Sequence, residues 1–138
     1  MMKSQEVIVV GGGPAGLAAG MHLSRAGYRT LLLEKDEPGG QARRIERIEN
    51  YPGFPKGIRG GELMSLWLAQ ARRWGLKFLR AQAVKIARQG GFFEVILAEG
   101  PALRSRAVLC CTGAQFKNLD VPGEGPLRGR GVYHAAFE

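Results

Sequence analysis

Hydrophobic positions along this chain first form a short continuous run, Val7 to Val10, that ends abruptly in Gly11, Gly12 and Gly13. From Pro14 to Ala26 the spacing turns helical. Ala15, Ala18, Ala19, His22, Leu23 and Ala26 are expected along one face, with proline suited to the first turn and Gly27 ending the helix. Arg29 to Glu34 then carries Leu31, Leu32 and Leu33 and reads as a second strand. Strand, glycine turn, helix and strand in about 30 residues predict a right-handed βαβ unit whose strands lie parallel.

The stretch from Asp36 to Gly61 is rich in glycine and proline, and so long an irregular segment inside a domain is usually functional. A second helix is predicted from about Gly61 to Trp74, with Leu63, Leu66, Trp67, Gln70 and Ala71 on one face and Gly75 as its cap. Three strand-like runs follow, Lys77 to Ala87, Phe92 to Ala98 and Leu103 to Thr112, and their short turns predict a meander. The run Ala107 to Cys111 is continuously apolar, as expected of a strand covered on both faces. Residues from about 114 to 138 hold four of the tail's five glycines and read as a connector, with no element expected after Val121.

A length of 138 residues suits one domain, or a piece of one, with a real core. No apolar run approaches the roughly 18 residues of a membrane span. The start is not a signal peptide, because its apolar core is only four residues long and runs into glycines. Cys110 and Cys111 are adjacent, so on a strand they point to opposite faces and form neither a disulfide nor a zinc site. Buried free thiols and a cytoplasmic location are the expectation.

The formal charge of +8, from fourteen arginines and six lysines, is scattered rather than blocked. A basic field of this kind suits an anionic cofactor or an acidic partner protein. Nucleic-acid binding is not expected, since no aromatic-basic platform accompanies the charge.

Candidate chemistry centres on the glycine turn. Gly11 permits the tight turn out of the strand, Gly13 lets a pyrophosphate approach the backbone, and Gly16 lets the helix pack closely on the sheet. The helix start offers free N–H groups to phosphates. Glu34 lies 18 residues beyond Gly16 at a strand end, where an acid accepts hydrogen bonds from adenosine ribose hydroxyls. A 2′-phosphate would meet like charge there, which disfavours NADP and leaves NAD and FAD open. His22 is expected in the helix packing, Trp67 and Trp74 in the core, and no acid stands beside His22 or His134. No catalytic residue and no metal ligand is assigned.

Further motifs narrow the choice. They are Gly11 to Gly16 with Gly20, Gly39-Gly40-Gln41-Ala42, Ile48 to Pro55, Gly60 to Leu63, Thr112-Gly113-Ala114 and Val121-Pro122-Gly123-Glu124. With these the whole chain resembles the FAD-binding part of thioredoxin reductase-like flavoproteins, in the pyridine nucleotide-disulfide oxidoreductase class. The resemblance implies an α/β, Rossmann-like three-layer fold: a central parallel sheet, helices on one side and a small antiparallel β-meander. It implies that Gly13, Pro14, Ala15 and Gly16 hold the FAD pyrophosphate, Glu34 the ribose and Lys35 the adenylate side, with Gly11 among the cofactor-binding positions at the turn. Gly40, Gln41 and Asn50 would lie along the flavin and ribityl chain, Ala83 and Val84 would offer backbone to adenine, and Thr112 and Gly113 would close over the cofactor.

Two departures shape the functional expectation. Ala135 and Glu138 stand where thioredoxin reductases carry two cysteines, so the chain looks closer to relatives without that pair. The family's NAD(P)H domain and its returning FAD segment have no counterpart in these residues. The expectation is the FAD-binding portion of an oxidoreductase that passes hydride from NAD(P)H to FAD and electrons to an external acceptor. NAD(P)H would serve only if a further domain or partner supplies its site. The alternative is a non-catalytic FAD or ADP-binding module, or a subunit completed by a partner chain. An acidic acceptor protein and a homodimer are the partners expected, with no membrane. A stand-alone NAD dehydrogenase leaves Ile48 to Pro55 without a purpose.

Overall fold

A computed structural model describes residues 5–133 of the chain. Its elements are β1 (Gln5–Val10), α1 (Pro14–Arg25), β2 (Thr30–Glu34), a 3-10 turn (Gly40–Arg44), α2 (Gly60–Arg73), β3 (Lys77–Arg80), β4 (Ala83–Gln89), β5 (Phe92–Leu97), β6 (Leu103–Cys110) and a one-turn α3 (Glu124–Leu127). The sheet runs β3-β2-β1-β6-β5-β4. Its first four strands are parallel, and β6, β5 and β4 are antiparallel.

The predicted strand Lys77 to Ala87 is in fact two strands at opposite ends of that order. The Ala81 N–H donates to the Glu34 carbonyl at 3.0 Å as the last rung of the β2–β3 ladder, and the chain leaves the sheet after it. The meander therefore consists of β4, β5 and β6 only.

This split explains the layering. Five inter-strand spacings separate β3 from β4 in the order, or about 24 Å in a flat sheet, yet the link from Arg80 to Ala83 reaches only about 11 Å. The sheet must fold back over itself. Val95, Leu97 and Leu103 of the meander accordingly pack on Ile8, Val10, Leu31 and Leu33. The opposite face, Val7, Val9 and Leu32, takes Ala71 of α2 and Leu76. Meander, parallel sheet and helices thus form the three layers. Ile8, Val9 and Leu32 are fully buried, each stabilising the fold by about 1.5–3 kcal/mol.

The helical faces differ from expectation. On α1 the buried residues are Gly16, Leu17 and Gly20, while Ala15, His22 and Ala26 are exposed. Small residues make the closest approach because a larger one does not fit: a Cβ at Gly20 would lie 2.9 Å from the Leu76 side chain. On α2 Leu63, Met64 and Ala71 are buried, and Leu66, Gln70 and Trp74 are exposed. Arg25 lies over the Trp74 ring, 5.5 Å from its centroid, which keeps that indole at the surface.

Both cysteines are free, with Cys110 exposed and Cys111 half-buried, so the expected burial does not hold. The cause lies in β6. It pairs with β1 from Ser105 to Cys110, but with β5 only from Leu103 to Ser105. From Arg106 onward one edge carries no ladder among the described residues, and Ala107, Val108 and Leu109 are only half-buried.

Beyond Val121, where no element was expected, α3 forms around a buried carboxylate. Glu124 accepts the N–H groups of Leu119 at 2.9 Å and Asp120 at 2.8 Å. His134, Ala135 and Glu138 lie outside the described residues. No helix among the described residues is long and apolar enough to cross a membrane.

Candidate functional site

The site forms where β1, β2 and β6 end together. Gly11 donates its N–H to the Leu33 carbonyl at 2.8 Å, and Cys111 donates to the Val10 carbonyl at 2.7 Å. The turn is therefore wedged between two strand ends. A Cβ at Gly11 would lie 2.2 Å from the Cys111 carbonyl oxygen, and one at Gly16 would lie 1.8 Å from the Gly11 carbonyl oxygen. Both positions exclude a side chain. Gly11 also has φ +104°, in the left-handed half where glycine is favoured.

Gly13 differs in kind, because a Cβ there would meet nothing closer than the Gly40 Cα at 3.8 Å. Protein packing does not demand glycine at this position. It caps α1, and no side chain caps that helix start, so the N–H groups of Ala15 and Gly16 are offered outward with the positive end of the helix dipole. Pro14 fixes the first helical residue without adding a donor.

Glu34 and Gly12 tie the turn to β2. The Gly12 N–H donates to Glu34 Oε2 at 2.7 Å, and the Asp36 N–H donates to Oε1 at 3.0 Å. The Gly12 carbonyl accepts the Gly39 N–H at 2.7 Å, which brings the Gly39-Gly40 pair against the cradle. Gly40 faces Gly13 so closely that a Cβ on it would lie 3.0 Å from the Gly13 Cα. Lys35 is exposed beside Glu34.

The remaining positions divide by distance from this cradle. Gln41 reaches across to β6's exit, donating from Nε2 to the Ala114 carbonyl at 2.7 Å beside exposed Thr112 and Gly113. Ala83 begins β4, and a register shift between Ala83 and Lys85 leaves Val84 without a cross-strand partner. Asn50 is exposed in the loop closed by the Ile48–Ile58 bridge. Arg47 clasps that loop, donating to the Lys56 carbonyl at 2.8 Å and pairing with Glu49 at 2.9 Å. Tyr51 packs against Phe54 and Trp67, at ring-centroid distances of 6.0 and 5.9 Å.

Gly60 secures the 3-10 turn, since a Cβ there would lie 1.9 Å from the Ala42 carbonyl oxygen. His22 lines a separate cavity of about 220 Å³ between α1 and α2, with Leu17, Met21, Tyr51 and Trp67. The sequence reading assigned no role to Gly12 or Gly39. Three consecutive glycines, and a glycine pair after Pro38, were the available signals. No cluster able to hold a metal ion occurs among the described residues. Burial pushes the Cys111 thiol above its usual range, with Cys110 adding to the effect.

The family model described as pyridine nucleotide-disulphide oxidoreductase matches residues 5–136. The chain belongs to this family. Within it, the chain is 39% identical over 134 residues to a thioredoxin reductase of Bacillus subtilis, covering 97% of this chain and 42% of that protein. A bifunctional thioredoxin reductase/thioredoxin of Mycobacterium leprae is 39% identical over 127 residues, covering 92% and 28%. The crystal structure of Lactococcus lactis thioredoxin reductase superposes with a TM-score of 0.84 at 31% identity, over 90% of this chain and 40% of that one. The crystal structure of T. acidophilum thioredoxin reductase gives 0.82 at 30% identity, over 93% and 41%. The chain thus spans about two fifths of the Bacillus and Lactococcus relatives. The mixed α/β fold, with its mostly parallel sheet, is that of these oxidoreductases.

Proposed function

We propose that this chain is the FAD-binding portion of a thioredoxin reductase-like oxidoreductase, with the cofactor lying across the ends of β1, β2 and β6. The observation that carries the reading is Gly13. Packing leaves room for a Cβ there, yet the position is glycine, faces a second glycine at Gly40, and sits at an uncapped helix start. Bare main chain at Gly13 and Gly40, with no side chain over it, suits a pyrophosphate that must touch the backbone.

In this reading Gly11, Gly13, Pro14, Ala15 and Gly16 hold the pyrophosphate. Glu34 takes the ribose hydroxyls while still bonded to Gly12, with Lys35 beside it. Gly40, Gln41 and Asn50 flank the ribityl chain and flavin, and Thr112 and Gly113 close the far side. Val84 has backbone groups outside the ladder, which suits the edge of adenine. Bound flavin would supply the redox chemistry, accepting hydride and passing on electrons. This chain's residues bind and orient it, and none acts as an acid, base or nucleophile.

NAD(P)H as donor requires a site from a further domain or a partner chain. The acceptor suggested by the charge of +8 is an acidic protein, in a cytoplasmic setting and with a homodimer as the assembly. Residues 135 and 138 are not cysteines, so the reading includes no disulfide relay at that point.

The second reading, a nucleotide-binding module or a subunit completed by another chain, is favoured by the open edge of β6 from Arg106 to Cys110. Exposed Leu119 and Val121 nearby would also be covered by added chain. Anaerobic addition of NADH or NADPH to FAD-loaded protein, joined by the further domain or partner chain that would supply the donor site, separates the two. Bleaching of the flavin band there supports the oxidoreductase, and an unchanged spectrum with either donor supports the module.

A further inference from the structure

Charge that is scattered along the sequence gathers at one end of the fold. α1 begins at the glycine cradle, and its 12 residues carry the chain about 18 Å toward the opposite end of the sheet. α2 ends beside it, because Arg25 in the last turn of α1 lies over the Trp74 ring, 5.5 Å from the centroid. Trp74 caps α2 directly after Arg72 and Arg73, and Lys77 opens β3. Tyr28 stands in the turn between α1 and β2, its N–H bonded to the Leu23 carbonyl at 3.1 Å. Arg25, Arg72, Arg73 and Lys77 are exposed, as are Trp74 at 47% and Tyr28 at 51%. The acid at this end of β1, Glu6, is already taken by Arg29, through its backbone N–H at 3.0 Å and its guanidinium at 3.7 Å.

Helix dipoles do not absorb this charge, since two helix C-termini together present about one negative charge against these exposed cations. A second copy of the same surface does not fit either, because a two-fold axis through it would set like charges face to face. Arg25 covers one face of the indole and closes that face to a stacking base. Arginine in excess of lysine, beside exposed Trp and Tyr, is the composition of protein-interface anchors. We infer that Arg25, Tyr28, Arg72, Arg73, Trp74 and Lys77 form a docking surface for a carboxylate-rich segment of a partner protein, with Trp74 as its apolar anchor. The inference rests on the acidic partner of the reading above, but not on its cofactor. The six residues of β1 span about 17 Å between this surface and the cradle, so a segment docked here leaves the cofactor site open.

The test is fluorescence anisotropy of a labelled peptide of about 20 residues, glutamate with interspersed tyrosine, titrated with the full chain and with R72E/R73E, W74A and W74K, each also melted. The expected result is saturable binding by wild type and about tenfold weaker binding in R72E/R73E and in W74A, corresponding to about 1.4 kcal/mol. W74K weakens binding too, although it adds a cation. K85E/R88E makes the same change in net charge at exposed positions of β4 and stays within twofold of wild type. FAD affinity of R72E/R73E also stays within twofold at about 0.15 M salt, where the screening length of about 8 Å is shorter than the distance to the cradle. Peptide affinity within twofold of wild type in R72E/R73E or in W74A overturns the inference. So does an equal loss in K85E/R88E, which marks net charge alone. Tighter binding to a thymidine oligonucleotide of equal length or to phosphatidylserine vesicles, lost in the same variants, also overturns it, since the surface then serves a nucleic acid or a membrane. If both Trp74 variants melt far below wild type, R72E/R73E against K85E/R88E decides. Wild-type protein that binds the peptide but not FAD overturns the flavin reading and leaves this surface standing. Wild-type protein that binds FAD but not the peptide does the reverse.

Discussion

Glu34 accepts the Gly12 N–H at 2.7 Å, so the acid proposed for the ribose is also the clasp that holds the glycine turn to the end of β2. One oxygen serves Gly12 and the other the Asp36 N–H, which fixes the carboxylate plane before any ligand arrives. Hydrogen bonds to a charged group of this kind contribute roughly 1.5–3 kcal/mol.

Replacing Glu34 should therefore lower both stability and affinity. E34A leaves the buried Gly12 N–H unpaired, and we expect it to lose about 1–3 kcal/mol in urea denaturation. E34Q keeps an acceptor oxygen and should lose less than about half of that, while still weakening FAD through the missing charge. Equal stability of E34A and wild type would show that the clasp contributes nothing.

The glycines of the turn should separate into two kinds. G16A forces a Cβ to within 1.8 Å of the Gly11 carbonyl, so it should unfold the protein or displace α1. G13A meets nothing nearer than 3.8 Å and should melt close to wild type while losing at least tenfold in FAD affinity. A G13A protein that binds FAD normally would contradict the placement of the pyrophosphate.

The cysteines should react in order. Cys110 is exposed, whereas burial and its neighbour push the Cys111 thiol up, keeping it protonated further into alkaline pH. Iodoacetamide at about pH 8 should give one fast adduct at Cys110, with Cys111 following roughly tenfold slower and gaining as pH rises. Peptide mass spectrometry checks the order, and faster labelling at Cys111 would contradict it.

Glu124 should hold the segment after β6. Its carboxylate takes two backbone N–H groups from Leu119 and Asp120, the latter at φ +56°. E124A should speed hydrogen exchange and proteolysis across residues 117–132 while the β1 to β6 core stays protected. Loss of protection throughout the core would show that the segment is not locally held.

The βαβ unit was legible because its signals agree: an apolar run, glycines, a helix with proline at its start, and a second apolar run ending in Glu34. The split at Arg80 was not legible. Lys77 to Ala87 has no internal glycine or proline, and β3 ends there only because its parallel partner β2 ends at Glu34, 47 positions before Ala81. The face of α1 differs from the spacing because two of its three buried positions, Gly16 and Gly20, are glycines that hydrophobic spacing cannot weigh, and the third, Leu17, lies between them. Exposure of Cys110 was hidden because an apolar run does not reveal which strand edges find partners. The candidate site was legible where backbone geometry demands glycine, as at Gly11 and Gly16.

The most direct measurement is titration of the purified chain with FAD, followed by visible spectrum and melting temperature, with G13A in parallel. The account predicts saturable one-to-one binding, a flavin band near ~450 nm that stays with the protein on gel filtration, and a melting temperature several degrees higher. A hundredfold excess over Kd corresponds to about 2.7 kcal/mol of added stability. A colourless protein whose melting temperature does not change at saturating FAD, with wild type and G13A indistinguishable, would contradict it.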